Sequence, residues 1–206
     1  QAAPDPWRRG AGRPAAADVV APLARLQPRA GAALADTGER PFRLAFPGLP
    51  TGLKGWSVFR DLVLRFAEDP RYEFLHLARD DIGGLPLAFF PVTVSEERPR
   101  AMQDAIEALG IDAVMIWSLC RETFSFTTHE AAASGAAILT GPDSGNVAAF
   151  VQSTGLGQVL PDENALFEAF ESGDVLNLAR ANRAPQLCDI VFSRLTVDLL
   201  DGETSA

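Results

Sequence analysis

The chain has 206 residues, a formal net charge of −9 and an apolar fraction of 47%. This length allows one domain with a proper hydrophobic core, together with extensions. The acidic balance argues against binding to nucleic acid or to an anionic membrane surface, because both require a basic face. No apolar run approaches the roughly 20 residues that span a bilayer, so we expect no transmembrane segment.

The cysteine and histidine content bounds the chemistry further. Only two cysteines, Cys120 and Cys188, and two histidines occur. Two cysteines make no disulfide framework, and they lack the spacing of metal ligands, so we expect no metal site and a reducing, cytoplasmic setting. The chain begins at Gln1 rather than at Met, and we expect it to be part of a longer polypeptide.

Residues 1–40 are rich in Ala, Pro, Arg and Gly, a composition that predicts a linker or arm of largely irregular structure. Residues 41–206 instead alternate short apolar runs with amphipathic segments, which predicts one domain of alternating strands and helices. The predicted strands are Phe42–Phe46, Tyr72–Leu77, Leu87–Val94, Ala113–Trp117, Ala136–Thr140 and Gly157–Leu160. The predicted helices are Lys54–Glu68, Arg98–Leu109, Phe124–Ser134, Asn146–Ser153, Glu163–Glu171 and Val175–Leu200, the last of them broken at Pro185.

This alternation predicts an α/β fold: a Rossmann-like, doubly wound parallel sheet of six strands, with an N-terminal Pro/Ala-rich arm and C-terminal helices. The strands are continuous apolar runs, as is typical of parallel strands buried on both faces. Such sheets bind ligands outside the carboxyl ends of the strands, near the point where the strand order reverses. The loops of interest are therefore Gly48–Lys54, Leu77–Gly84, Trp117–Phe124 and Thr140–Asn146.

The stretch from Trp117 to Gly135 combines a strand end, a polar turn and a helix start. The turn carries Glu122, and the helix has Ser and Thr in its first turn and Glu130 further along. A helix N-terminus presents free N–H groups and a partial positive charge, so it accepts phosphate. A carboxylate just before it can hold a sugar hydroxyl beside that phosphate, which favours a nucleotide-sugar, although Glu122 also fits an ordinary capping carboxylate.

Three motifs carry a resemblance to a known family. They are Gly-Leu-Pro-Thr-Gly-Leu-Lys-Gly at residues 48–55, Glu-Thr-Phe-Ser at residues 122–125 and Glu-Ala-Ala-Ala-Ser-Gly at residues 130–135. With them, and with a turn at residues 143–146, residues 42–200 resemble the C-terminal, donor-binding half of a GT-B retaining glycosyltransferase of the group 1 type. That family has a Gly-Arg turn followed by Lys-Gly, and two glutamates separated by seven residues.

The resemblance implies a role for each site residue. It implies that Glu122 is catalytic and holds the transferred sugar in position. It implies that Lys54 contacts the donor diphosphate and that Glu130 binds the ribose hydroxyls. The full set of residues that it assigns to the donor is Gly48, Lys54, Thr123, Phe124, Ser125, Glu130, Ser144 and Gly145. The family needs no metal, and we expect no cofactor.

The resemblance further implies a hexosyltransferase-type enzyme of polysaccharide biosynthesis. Such an enzyme transfers a sugar from a nucleoside-diphosphate sugar to a glycan or another acceptor. The acceptor is bound by an N-terminal half that this chain lacks, so we expect the fragment to be inactive alone.

Three departures from the family pattern leave a second interpretation open. Leu49 stands where the family has Arg, the Gly-Phe-Gly turn is Thr-Phe-Ser, and Ala148 and Ala149 replace an acidic residue. Loss of the arginine removes a bidentate phosphate ligand. It favours a non-catalytic, degenerate domain that acts as a binding or scaffold module in a larger polysaccharide-synthesis protein. Alternatively, Arg79 or Arg121 supplies the missing charge.

An unrelated doubly wound domain, such as half of an epimerase or a receiver module, is a third interpretation. The chain lacks Gly-x-Gly-x-x-Gly after its first domain strand, which argues against a dinucleotide enzyme. It also lacks an acidic cluster with a phosphoacceptor Asp at a strand end, which argues against a receiver module.

Overall fold

A computed structural model describes residues 23–30 and 40–193. The chain forms two compact units: residues 26–190 make up the larger one, and residues 1–25 with 191–206 make up the smaller. Within the smaller unit, Ser193 N donates to Leu23 O at 2.8 Å. Most of residues 1–40 lies outside the described residues, but Ala24–Pro28 forms a strand, β1.

The larger unit is built on a six-stranded sheet in which every neighbouring pair of strands is parallel. Its strands are β2 (Phe42–Pro47), β3 (Tyr72–Ala78), β4 (Ala88–Pro91), β5 (Ala113–Met115), β6 (Ala137–Thr140) and β7 (Gly157–Val159). They lie in the order β4-β3-β2-β5-β6-β7, which is the strand order of a Rossmann-like fold. The predicted parallel sheet of six strands is confirmed.

Helices cover both faces of this sheet. They are α1 (Trp56–Phe66), α2 (Ala101–Ala108), α3 (Phe126–Ala133), α4 (Asn146–Thr154) and α5 (Glu163–Ser172). On one face α1 and α5 enclose an aromatic core that includes Phe46, Phe59 and Phe170. On the other face α2, α3 and α4 enclose an aliphatic core that includes Leu75 and Ile138. No helix among the described residues is both long and apolar enough to cross a bilayer.

The sequence explains these elements locally. β3 is buried along nearly its whole length, as its apolar run requires. In α1 the buried residues Val58, Phe59, Leu62 and Val63 recur at helical spacing, so they form one apolar stripe that packs on the sheet. Asp162 begins α5 by accepting a hydrogen bond from Ala165 N at 2.9 Å, a capping contact that stabilises a helix by about 1 kcal/mol.

The segment after α5 differs from its prediction. It forms two short 3₁₀ turns, Asp174–Leu178 and Arg180–Asn182, and then a strand, β8 (Cys188–Phe192), where the sequence predicts a helix. Pro185 prevents a continuous helix, and the β-branched side chains of β8 suit a strand once a partner is available. That partner is β1, a strand that lies within the segment predicted to be largely irregular.

The strand order places the expected ligand position between β2 and β5. From β2 the chain builds outward through β3 and β4, and from β5 it builds in the opposite direction. The two strands pair directly, with Leu44 opposite Ala113. Loops that leave their carboxyl ends therefore diverge and open a crevice, the usual ligand position of such sheets.

Candidate functional site

The turn after β2 brings Lys54 to the carboxyl edge of the sheet. It includes a short 3₁₀ helix, Gly52–Lys54. At its start, Gly48 N donates to Leu77 O at 2.7 Å, and His76 Nε2 lies 3.0 Å from Gly48 O. Because a carbonyl oxygen only accepts, His76 carries its proton on Nε2. Both contacts fasten the start of the turn to β3.

The turn after β5 carries Glu122 into contact with Lys54. The Lys54 ammonium donates to Glu122 Oε1, and Ser118 Oγ donates to the same oxygen at 2.7 Å. The Glu122 side chain is 14% exposed and that of Lys54 is 51% exposed. Burial acts to raise the pKa of Glu122, but the hydrogen bonds from Lys54 and Ser118 outweigh it and hold the pKa below its ordinary value. The carboxylate is therefore ionised at neutral pH.

Backbone contacts fix these two turns against each other. Leu119 N donates to Leu53 O at 2.9 Å. Gly55 has φ +80°, and a Cβ there would lie 2.2 Å from Trp117 O. Only glycine permits both the left-handed conformation and this close approach. The contact between Lys54 and Glu122 is therefore built into the backbone of both turns.

The turn after β6 supports the Glu122 turn from its other side. Ser144 Oγ donates to Ser118 O at 3.1 Å, and Asn146 N donates to Glu122 O at 2.9 Å. The Asn146 side-chain amide donates to Thr123 O. Gly145 has φ +63°, and a Cβ there would lie 2.7 Å from Glu122 O. Ser144 is fully buried, and ligand contacts of Ser144 and Gly145 stay a prediction.

The backbone between Glu122 and α3 offers hydrogen-bond donors. Ser125 caps α3 by accepting from Thr128 N at 3.2 Å. Within the described chain, the N–H groups of Thr123, Phe124 and Ser125 have no acceptor. Free N–H groups at the positive end of a helix dipole attract an anion. The Phe124 ring stacks on His129, with ring centroids 4.6 Å apart, so its side chain packs on the helix.

Glu130 lies on α3 in a partly buried position. Its carboxyl group makes no hydrogen bond or ion pair with the described residues, and burial raises its pKa to about 7. Two carboxyl oxygens therefore remain available as acceptors. A vicinal diol, which donates two hydrogen bonds, suits such a group.

The charge that the family pattern supplies by arginine is missing from the turn after β2. Leu49 occupies that position and is 73% exposed. Arg79 lies 3.9 Å from Asp80, and Arg121 is exposed. Across the described residues, neither guanidinium group bonds to Glu122. A role for Arg79 or Arg121 in binding a donor stays a prediction.

The structure brings Lys54 and Glu122 together, as the sequence predicts. Sequence reasoning missed three residues that hold the site: Ser118, His76 and Asn146. A signal existed for one of them, because His76 interrupts a buried strand. Over residues 23–30 and 40–193, no group of three His, Cys, Asp or Glu side chains could hold a metal ion.

Comparisons with known proteins identify the fold. No family model matches the chain, and no curated protein matches it. Among solved structures, the chain is similar to the crystal structure of WaaG, a glycosyltransferase involved in lipopolysaccharide biosynthesis, with 18% identity and a TM-score of 0.51. The match covers 70% of this chain and 41% of that chain, so this chain corresponds to less than half of its neighbour. The sheet and helices described above thus form a fold that also occurs in a glycosyltransferase.

Proposed function

We propose that this chain is the donor-binding domain of a retaining glycosyltransferase of the GT-B type. Its ligand is a nucleoside-diphosphate sugar, and the reaction is transfer of that sugar to a glycan or another acceptor. The acceptor is held by a companion N-terminal half, so the chain alone is inactive as a hexosyltransferase. A cytoplasmic setting, where nucleotide-sugars are made available, is part of the same proposal.

The contact between Lys54 and Glu122 at the reversal of strand order carries this proposal. An ammonium group and a carboxylate meet there beside the N–H groups of residues 123–125, which have no acceptor among the described residues. Lys54 is also the only lysine of the chain, which has 17 arginines. A compact ammonium on a flexible stem can follow a phosphate oxygen as a point charge, which supports a ligand role for Lys54.

The proposed mechanism assigns one task to each group. When the bond between the sugar and the diphosphate breaks, negative charge develops on the diphosphate. Lys54 and the N-terminus of α3 stabilise that charge. Glu122 holds the sugar so that the acceptor attacks from the face that the diphosphate leaves, and Glu130 holds the ribose diol. The rest of the catalytic effect comes from positioning.

Calorimetry with UDP, GDP, ADP and their glucose conjugates tests this proposal. Lys54→Ala is expected to weaken binding by about tenfold or more, because a hydrogen bond to a charged group contributes about 1.5–3 kcal/mol. Glu130→Ala is expected to weaken binding of the same ligands. Arg60→Ala removes an equal charge from an exposed site on α1 and serves as the control. Equal affinity in all four proteins would contradict the proposed site.

A non-catalytic scaffold is the second candidate, and the exposed Leu49 favours it. Without the arginine expected at residue 49, a leaving diphosphate loses a bidentate partner, whereas the fold is little affected. Leu49→Arg separates the two interpretations. A tenfold or larger gain in nucleoside-diphosphate affinity would support the donor-binding interpretation, with a site that binds the diphosphate weakly because it lacks the arginine. No gain, together with no binding by the wild type, would favour the scaffold.

A further inference from the structure

Lys54 and Glu122, two residues of the proposed donor site, form an ion pair with each other. The Lys54 ammonium donates to Glu122 Oε1. The hydrogen bond from Leu119 N to Leu53 O, 2.9 Å long, holds the two turns at this separation. The ion pair is thus a defined feature of the site and not a chance meeting of two flexible side chains.

The two partners of this pair differ in freedom. Glu122 is largely buried, receives a second hydrogen bond from Ser118 at 2.7 Å, and has its backbone carbonyl fixed by Asn146 N at 2.9 Å. The Lys54 side chain is half exposed, and its ammonium group sits at the end of a flexible four-carbon stem. Of the two, the ammonium is the group that can move, and the carboxylate is the group that stays.

The pair also leaves the site short of positive charge. Among the described residues, the side-chain partners of Glu122 are Lys54 and Ser118, so one ammonium faces one carboxylate. Leu49 adds no charge to the turn. An incoming diphosphate therefore meets a lysine whose charge is already partly neutralised, inside a chain of net charge −9.

We propose that Glu122 competes with the diphosphate of the donor for Lys54, so that donor binding loosens this ion pair. This inference rests on the proposed function, since it concerns the same site. The pair then acts as an affinity-setting contact. Diphosphate draws the ammonium away from Glu122 Oε1, and this oxygen, still held by Ser118, is then free to accept from the sugar hydroxyls as well.

If Glu122 competes for Lys54, removing the negative charge of Glu122 strengthens the binding of nucleoside diphosphates. Calorimetry with UDP, GDP and ADP is expected to give about 1.4- to fivefold tighter binding for Glu122→Gln than for the wild type. The expected range follows from the 0.2–1 kcal/mol that an exposed ion pair contributes. Glu168→Gln, an exposed change on α5 that alters the net charge equally, is the control and is expected to bind like the wild type.

The outcomes separate this inference from the proposed function. If the wild type binds nucleoside diphosphates and Glu122→Gln binds them equally or more weakly, the competition is overturned. The proposed donor site is not affected by that result. A gain of equal size in Glu168→Gln overturns it too, because the effect would then come from net charge. Absence of nucleoside-diphosphate binding by the wild type and by every variant overturns both proposals.

A second measurement needs no ligand. Because the chain has one lysine, protein labelled with ¹³C at the lysine side chain gives one lysine Cε resonance that needs no assignment. Its position is expected to change in Glu122→Gln and to stay constant in Glu168→Gln. Identical spectra for the wild type and Glu122→Gln would mean that the pair does not form in solution, and would overturn the inference.

Discussion

Each edge of the sheet holds a carboxylate next to a cation, but the two carboxylates are held differently. At the amino-terminal edge, Asp112 is 2% exposed and accepts two hydrogen bonds from Arg40, at 2.6 and 3.2 Å, and one each from the backbone N–H of Arg43 and Arg180. At the carboxyl edge, Glu122 Oε1 meets Ser118 and a half-exposed Lys54. One carboxylate is fully satisfied by the fold, while the other keeps a movable partner.

The surroundings of these carboxylates differ in the same way. Near Asp112, the Arg180 guanidinium is buried and donates to backbone carbonyls, including Ser134 O at 2.9 Å. That oxygen lies at the C-terminus of α3, where a cation stabilises the helix dipole. Burial lowers the pKa of Arg180 to about 10, against the attraction of Asp112. Its Nε and Nη2 atoms donate to the backbone carbonyls of residues 106, 111 and 134, so the guanidinium group joins parts of the fold.

The structure also has a cavity at the edge opposite the candidate site. A cavity of about 430 Å³ opens at the amino-terminal edge between Arg40, Arg71 and Asn182. The guanidinium groups of both arginines already face carboxylates, Asp112 and Asp69. In a doubly wound sheet, ligands bind at the carboxyl edge. The carboxyl edge, with its backbone donors and its movable cation, is therefore the better candidate for a ligand site.

Asp112→Asn is expected to have the largest effect on stability. Removing one partner of a buried ion pair costs about 3–5 kcal/mol, because the remaining charge is left uncompensated. Urea unfolding measures this loss. Asp80→Asn, which changes an exposed carboxylate at the other edge, is the control and is expected to stay within about 0.5 kcal/mol of the wild type. Equal stability of the two variants would remove the distinction between the edges.

Glu130→Gln tests whether ionisation of the Glu130 side chain lowers the stability of the fold. The pKa of Glu130 is about 7 in the folded chain against an ordinary 4.5, so the folded state holds its proton more tightly than the unfolded state. Stability therefore falls as the pH rises from about 4.5 to 7, by about 3 kcal/mol in total. The glutamine variant lacks this loss, and is expected to be more stable than the wild type at pH 8 and similar at pH 4.

Urea unfolding at both pH values, with Glu168→Gln as the control for an exposed glutamate, measures the difference. Parallel pH profiles for the wild type and Glu130→Gln would mean that the carboxyl group ionises as easily in the folded chain as in the unfolded one. Glu130 would then be an ordinary surface residue.

Gly55→Ala is expected to act on both the fold and the site. A residue with a Cβ at φ +80° costs about 1–3 kcal/mol, and the Cβ would lie 2.2 Å from Trp117 O, so the turn must shift. UDP affinity is therefore expected to fall with stability. Gly52→Ala, where a Cβ meets nothing within 4 Å, is the control. Unchanged UDP binding in Gly55→Ala would mean that the two turns need not touch.

The fold could be predicted from the sequence wherever the local pattern is strong. The apolar run of β3 and the stripe of α1 are visible in the residues themselves, because buried strands and amphipathic helices have different periods. β8 could not be predicted in this way. Cys188–Phe192 becomes a strand by pairing with Ala24–Pro28, and no local pattern reveals a partner more than 150 residues away.

The site shows the same division. The resemblance implied the roles of Glu122 and Lys54, and their meeting could be predicted because both lie in loops that follow strands whose carboxyl ends meet at one edge. Their supports could not. Ser118 and Asn146 act through single hydrogen bonds whose partners depend on how three turns pack, and small polar residues in turns are common enough to carry no signal of their own.

Glu122→Gln is expected to have the smallest effect on stability, and this smallness is informative. The depressed pKa of Glu122 means that its ionised form stabilises the fold above the unfolded pKa, and that this stabilisation is lost as the pH falls through the folded pKa. With a half-exposed lysine as partner, the contribution is about 0.2–1 kcal/mol. Urea unfolding at pH 7 and pH 3 should therefore give nearly equal values for the two proteins. A loss as large as that of Asp112→Asn would make Glu122 a structural residue like Asp112. A small loss means that the fold does not depend on the pair, so a change in nucleotide affinity in the same variant would not come from unfolding.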